Sequence, residues 1–226
     1  MANDKNNAPE NQSSIDNLNE TLTDISLKVE NNKKSITIAV VILILAVGAI
    51  LLFKNYRSAN ATKADAAIGE ADIELFNGND TVALAKYIEV AKLGHDAGNR
   101  ASLNAAILLF DQKNYEEAIK CLNDYSPKES IVGAAALSLK GDCYVNLNNY
   151  TEAVKAFNSA VKQSDKNPYY TPYFMLKLAR VHRAQQDYAA EAKVYEEVLK
   201  DYPKYAASVG INIDKYLERA RIVAQK

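Results

Sequence analysis

Side chains suited to nucleophilic, acid–base or metal chemistry are few in this sequence. It holds two His and two Cys. His95 and His182 stand alone, outside any H-x3-H or H-E-x-x-H arrangement, so neither starts a metal site. His95 lies in Leu93-Gly94-His95-Asp96-Ala97-Gly98, which reads as a loop. No G-x-G-x-x-G or phosphate-loop pattern occurs. Carboxylates are scattered over helix faces, where pairs such as Glu116 and Lys120 support a helix by charge alone. The reading is therefore non-enzymatic, with no catalytic, cofactor-binding or metal-binding residue expected.

Composition agrees with that reading. The chain has 226 residues, 48% apolar and 24% charged, with a net charge of −1. Such balance lacks the basic excess of a nucleic-acid binder, so no nucleic acid is expected as partner. Eight Gly and five Pro are too few for a turn-rich β-sandwich or barrel. An all-α fold is expected.

The charge is unevenly placed. Ile36–Phe53, ITIAVVILILAVGAILLF, carries no charge, and Thr37 is its one polar side chain. As a helix it spans about 27 Å, close to a hydrocarbon core of roughly 30 Å. Thirteen of its residues are Leu, Ile, Val or Phe, for which insertion gains roughly 4–8 kcal/mol. Lys33 and Lys34 precede it, and Lys54, Tyr56 and Arg57 follow as interface anchors. The segment is read as a retained transmembrane helix in contact with the lipid bilayer. A long acidic stretch precedes it in place of a short basic one, and Ala59-Asn60-Ala61 lies beyond two basic residues. Lys28, Lys33 and Lys34 on one side balance Lys54, Arg57 and Lys63 on the other, so charge does not orient the span.

Residues 1–34 form an N-terminal arm. Met1–Ser14 is rich in Asn, Asp, Gln and Ser and is expected to be disordered. Ile15, Leu18, Leu22, Ile25 and Val29 then share one helical face, either as an amphipathic helix against the membrane or a neighbour, or as a short helix-pairing device.

Beyond the span a period appears. Asn79-Asp80-Thr81-Val82-Ala83, Asn114-Tyr115-Glu116-Glu117-Ala118, Asn149-Tyr150-Thr151-Glu152-Ala153 and Asp187-Tyr188-Ala189-Ala190-Glu191 begin four similar helices. Ala153, Phe157 and Ala160 share a face at i, i+4 and i+7, as do Leu137, Gly141 and Tyr144 one helix earlier. Ala71, Ala106 and Ala179 take the place of Gly141 in the other units. Small residues let paired helices approach, and stacking of pairs is needed to bury their apolar faces. Helix pairs are expected over about 61–93, 98–125, 130–165 and 170–201. A last helix from about Ala206 to Ala224 is expected to cap the stack, with Val209, Ile213, Tyr216, Leu217, Ala220 and Val223 as its apolar stripe.

These residues resemble the tetratricopeptide repeat, most closely as Leu137-x2-Lys140-Gly141-x2-Tyr144…Ala153-x3-Phe157-x2-Ala160. The departures are Glu191 for a small residue, His182 for an aromatic, Asp80 for Tyr, extra residues around Asn167-Pro168, and a second helix cut short near Ser126-Pro127. His182 therefore reads as a packing residue. The resemblance implies an α-solenoid of about four helix pairs over residues 58–205, after a membrane helix and flank at 35–57 and before a capping helix at 206–226.

The order of short arm, single span and repeats resembles the YfgM-like ancillary subunits of the SecYEG translocon. That resemblance implies a single-pass inner-membrane protein with a cytoplasmic N-terminus and periplasmic repeats. Its implied role is a scaffold or co-chaperone for exported proteins. Its implied partners are protein partners: export machinery, a membrane-anchored chaperone such as PpiD, or client proteins. The same fold facing the cytoplasm, as an adaptor for assembly or proteolysis of a membrane complex, is the alternative.

In the tetratricopeptide family the concave surface is lined mainly by first helices. Carried onto this chain, its outward positions are Arg100, Leu103, Phe110, Asp142, Asn146, Tyr173, Arg180 and Arg183, the expected partner-binding groove. Cys121 and Cys143 fall on neighbouring helices of successive units. They are read either as a disulfide in an oxidising compartment or as two separate buried small side chains.

Overall fold

The computed structural model of the chain describes residues 20–23, 30 and 32–225. The expected disorder of Met1–Ser14 and most of the helical face from Ile15 to Val29 lie outside the described residues. Every regular element among the described residues is an α-helix. After a single turn of helix at residues 20–23 come α1 (Lys33–Phe76), α2 (Asp80–Leu93), α3 (His95–Asp111), α4 (Tyr115–Asp124) and α5 (Ser130–Asn146). Then follow α6 (Tyr150–Gln163), α7 (Tyr170–Ala184), α8 (Tyr188–Asp201), α9 (Tyr205–Val209) and α10 (Ile213–Ala224). The chain divides into two units, Met1–Ala59 and Asn60–Lys226, with α1 contributing to both.

In the first unit α1 is long and apolar enough to cross a membrane, and none of its most apolar stretch is buried within the protein. Leu43, Leu45 and Leu52 are exposed. Thr37 turns its hydroxyl back to donate to the Lys33 carbonyl at 2.8 Å. The one polar side chain of the stretch is thereby satisfied inside the helix, as an apolar medium requires.

In the second unit helices from α2 to α8 pack consecutively, and α10 packs on α8. The period seen in the sequence is a repeated turn. At the end of α1, α3, α5 and α7 one residue takes the left-handed conformation: Gly78 (φ 79°), Lys113 (62°), Asn148 (57°) and Gln186 (62°). The next residue, Asn79, Asn114, Asn149 or Asp187, sends its N–H back to the carbonyl of Glu74, Leu109, Tyr144 or His182, respectively. This Schellman closure satisfies the last carbonyls of each first helix. The same Asn or Asp then begins the second helix. Asn149 accepts from the Glu152 N–H and Asp187 from the Ala190 N–H, the N-cap arrangement.

The helices approach closely where the side chains are small. Ala71, Ala106 and Ala179 on the first helices, and Ala83, Ala118 and Ala153 on the second, are fully buried. At Gly141 an added Cβ would lie 2.8 Å from the Phe157 ring, so hydrogen there sets the distance between α5 and α6. Successive cores follow the stack. One joins Ala71, Ala83, Tyr87 and Ala101, the next Ala106, Ala118, Leu122 and Cys143, and the last Ala153, Phe157, Ala179, Tyr195 and Ile213. Each repeat thus completes its core with its neighbour, as in other solenoids.

Several expectations are corrected. His95 is not in a loop: Gly94 alone connects α2 to α3, and His95 opens α3. Lys120 makes its ion pair with Glu117 at 2.5 Å, and the Glu116 charge acts on it as well. The expected single last helix is two, because Gly210 adopts φ 67° and ends α9, while Asn212 caps α10 by accepting from Lys215 N–H. Of the expected apolar stripe, Ile213, Leu217 and Ala220 are buried, and Tyr216 remains exposed. The extra residues near Pro168 form a tight passage. Asp165 and Lys166 are both left-handed, and Asn167 Oδ1 accepts from the N–H groups of Tyr169 and Tyr170, each at 3.0 Å. Cys121 is half-buried and Cys143 buried, both as free thiols.

Candidate protein-interaction groove

The eight expected groove residues separate into three sets. Arg100 on α3 is exposed and donates to Asp72 on α1 at 2.5 Å. The other Asp72 oxygen accepts from the Tyr87 hydroxyl at 2.6 Å. One carboxylate therefore ties three helices, α1, α2 and α3. Burial and the Asp72 charge push the Tyr87 phenol up to about 12. Leu103 and Phe110, farther along α3, are half-buried against the core around Ala106 and Cys143. Phe110 meets Tyr115 edge-on, with ring centroids 5.4 Å apart.

Asp142, Asn146 and Tyr173 form the second set. Lys177 on α7 reaches Asp142 on α5 at 2.5 Å, joining the first helices of the third and fourth repeats. Its ammonium also lies 5.3 Å from the Tyr173 ring centroid and 5.8 Å from that of Phe157, within the range of cation–π attraction. Burial raises the Asp142 pKa above the ordinary carboxylate value, against the opposing pull of Lys177 and Arg180. Asn146 donates to the Asp142 backbone carbonyl at 2.9 Å. Tyr173 is 42% exposed and meets Phe174 edge-on.

Arg180 and Arg183 make the third set, one turn apart on α7. They line a single cavity of about 370 Å³ with Leu176, Tyr195, Ile211 and Tyr216. Neither guanidinium has a carboxylate within ion-pair distance among the described residues. Lys177 and Tyr216 also belong to this face and stand outside the eight expected positions. Lys177 was legible as the residue at i+4 from Tyr173, the spacing that stacks side chains on one helical face. Tyr216 was hidden in the apolar stripe of α10.

His182 is half-buried, as its repeat position implies, and its Nδ1 has no hydrogen-bond partner among the described residues. Burial lowers its pKa, opposed by the charges of Asp187 and Glu191. Among the described residues no three His, Cys, Asp or Glu converge to hold a metal ion. The arrangement offers aromatic, cationic and amide groups on first helices, which suit recognition of another chain.

Comparison with solved structures gives the same fold. MamA from Desulfovibrio magneticus RS-1, residues 41 to the end, is similar with a TM-score of 0.50 at 17% identity, covering 62% of this chain and 76% of that one. Another MamA crystal structure is similar with a TM-score of 0.51 at 16% identity, covering 72% and 92%. Nearly identical TPR-like repeats from Podosopora anserina give a TM-score of 0.50 at 14% identity, covering 71% and 94%. Comparison with curated proteins finds no match. A tetratricopeptide repeat is matched at residues 173–205. The tetratricopeptide repeat-like domain is matched across residues 66–183, more than half of the sequence, and the chain belongs to that family.

Proposed function

We propose that the chain is a membrane-anchored scaffold that holds protein partners on its repeats, as an ancillary or co-chaperone subunit at the protein-export machinery. The observation that carries this reading is the face of α7. There Tyr173, Arg180 and Arg183 stand exposed at intervals of about two turns and one turn, in a family whose folds serve protein recognition. Tyr and Arg are the usual anchors of protein interfaces. The exposed apolar stretch of α1 supports anchoring, since a soluble chain rarely leaves so large an apolar surface open. The likeness in arrangement to YfgM-like subunits supports a place at the translocon, with the repeats in the periplasm and the N-terminus in the cytoplasm.

Protease treatment of cells making the chain tests this reading. The domain from Asn55 onward is expected to be intact in whole cells and digested in spheroplasts. Digestion only after the inner membrane is opened would overturn the outward placement. It would point instead to a cytoplasm-facing adaptor.

A further inference from the structure

The cavity at the end of the array has a chemistry of its own. Its walls are Leu176, Arg180 and Arg183 of α7, Tyr195 of α8, Ile211 of the α9–α10 connection and Tyr216 of α10. Two cations thus stand among apolar and aromatic surfaces. Two acids at this end of the array are already engaged. Asp142, whose charge Arg180 senses, is held by Lys177 at 2.5 Å. Glu191, beneath Tyr195, is held by Arg219. Among the arginines whose side chains are described, Arg100, Arg219 and Arg221 have carboxylate partners, whereas the two guanidinia of the cavity have none among the described residues.

We infer that this cavity is an anchor site for an extended protein segment carrying acidic side chains between apolar ones, with Arg180 and Arg183 taking the carboxylates and Tyr216, Leu176 and Ile211 the apolar groups. The inference rests on the scaffold reading and names the partner's chemistry. Charge complementarity decides the occupant. Guanidinium binds carboxylate by paired, charge-assisted hydrogen bonds. An extended chain places alternate side chains on one face about 7 Å apart, so a single segment can present two acids towards two cations one helical turn apart. The concavity between three elements suits a narrow chain. A flat bilayer surface would meet the rim instead.

The test uses the full chain in phosphatidylcholine nanodiscs and a random library of short peptides with acetylated N-termini and amidated C-termini. Such peptides have no terminal carboxylate, so any anion they present is a side chain. Enrichment of peptides with alternating acidic and apolar residues is expected. Their affinity should fall about tenfold or more in R180E/R183E and weaken in R180Q/R183Q, with unchanged thermal melting in both. Enrichment of peptides without acidic residues would overturn this inference and leave the scaffold reading standing, as would acidic peptides that bind the variants equally well. Enrichment of nothing would overturn both. Loss of binding to phosphatidylglycerol vesicles, or of self-association, in the variants without loss of peptide binding would assign the cavity to lipid or to a second copy and overturn the inference.

Discussion

Arg219 on α10 donates to the carboxylate of Glu191 on α8, and Glu191 is fully buried where the other three repeats carry Ala. The departure from the repeat pattern thus has a physical cause. The second helix of the fourth repeat packs against α10, and α10 supplies an ion pair where the other repeats carry Ala. The Tyr195 hydroxyl adds a 3.3 Å bond to the same oxygen. Arg219 is 39% exposed on its side chain, so the two partners differ in what they lose when the pair is broken.

Removing Arg219 leaves a buried carboxylate uncompensated. R219A is expected to lose about 3–5 kcal/mol of stability. E191A should lose less, because the freed guanidinium can turn to water. Urea unfolding of both single variants and the double variant checks this. A loss below about 1 kcal/mol in R219A would show that the pair does not hold α10 in place.

Gly141 faces the Phe157 ring with no room for a methyl group. G141A is expected to destabilise by about 1–3 kcal/mol through overpacking. G141A/F157L should recover part of that loss, because the smaller side chain vacates the space. Thermal melting of the three variants measures both effects. An unchanged melting temperature in G141A would mean that α5 and α6 are free to move apart.

Burial pushes the Cys143 thiol up to about 12, and the Tyr87 phenol to the same value. In the unfolded chain these groups ionise near 8.5 and 10. Between the two limits the folded chain keeps protons that the unfolded chain releases. Stability is therefore full below about pH 8.5 and falls as pH rises, by up to ~1.4 kcal/mol per unit for each group. Urea midpoints measured from about pH 7.5 to 10 should decline, and C143A should lessen the decline below about pH 10, where Cys121 still contributes. In the native protein, alkylation should be slow at Cys121, where burial also raises the thiol pKa, and slower still at Cys143. A rapid native reaction at Cys143 would contradict its burial.

The apolar stretch of α1 predicts behaviour in fractionation. The full chain should stay with membranes through alkaline carbonate extraction. A chain lacking residues 36–53 should appear in the soluble fraction with its repeat helices still melting cooperatively. Release of the full chain by carbonate would contradict anchoring through this helix.

The repeats were legible because their signature is doubly written. Asn79, Asn114, Asn149 and Asp187 mark the same closure in sequence and in backbone, and buried Ala at fixed offsets marks the helix crossings. Local signals that compete were harder to weigh. The stretch around His95 looked like a loop because two glycines flank it, yet Gly94 alone makes the turn and Gly98 lies inside α3. The break at Gly210 was present as a Gly followed by the capping Asn212, but the apolar stripe running through it suggested one helix. Pairings across repeats, Asp142 with Lys177 and Glu191 with Arg219, connect residues 35 and 28 positions apart. Nothing in a single helical face announces such partners, so which groove cations were already engaged became visible only with the fold.

The central claim is that the groove holds protein partners while the chain is anchored. Site-specific photocrosslinking in intact cells from position 173, the exposed Tyr173 of α7, tests it most directly. Discrete adducts with export machinery, a membrane-anchored chaperone or exported clients are predicted, and they should weaken when R180E/R183E is introduced. Adducts with lipid alone, or only with a second copy of the chain, would contradict it.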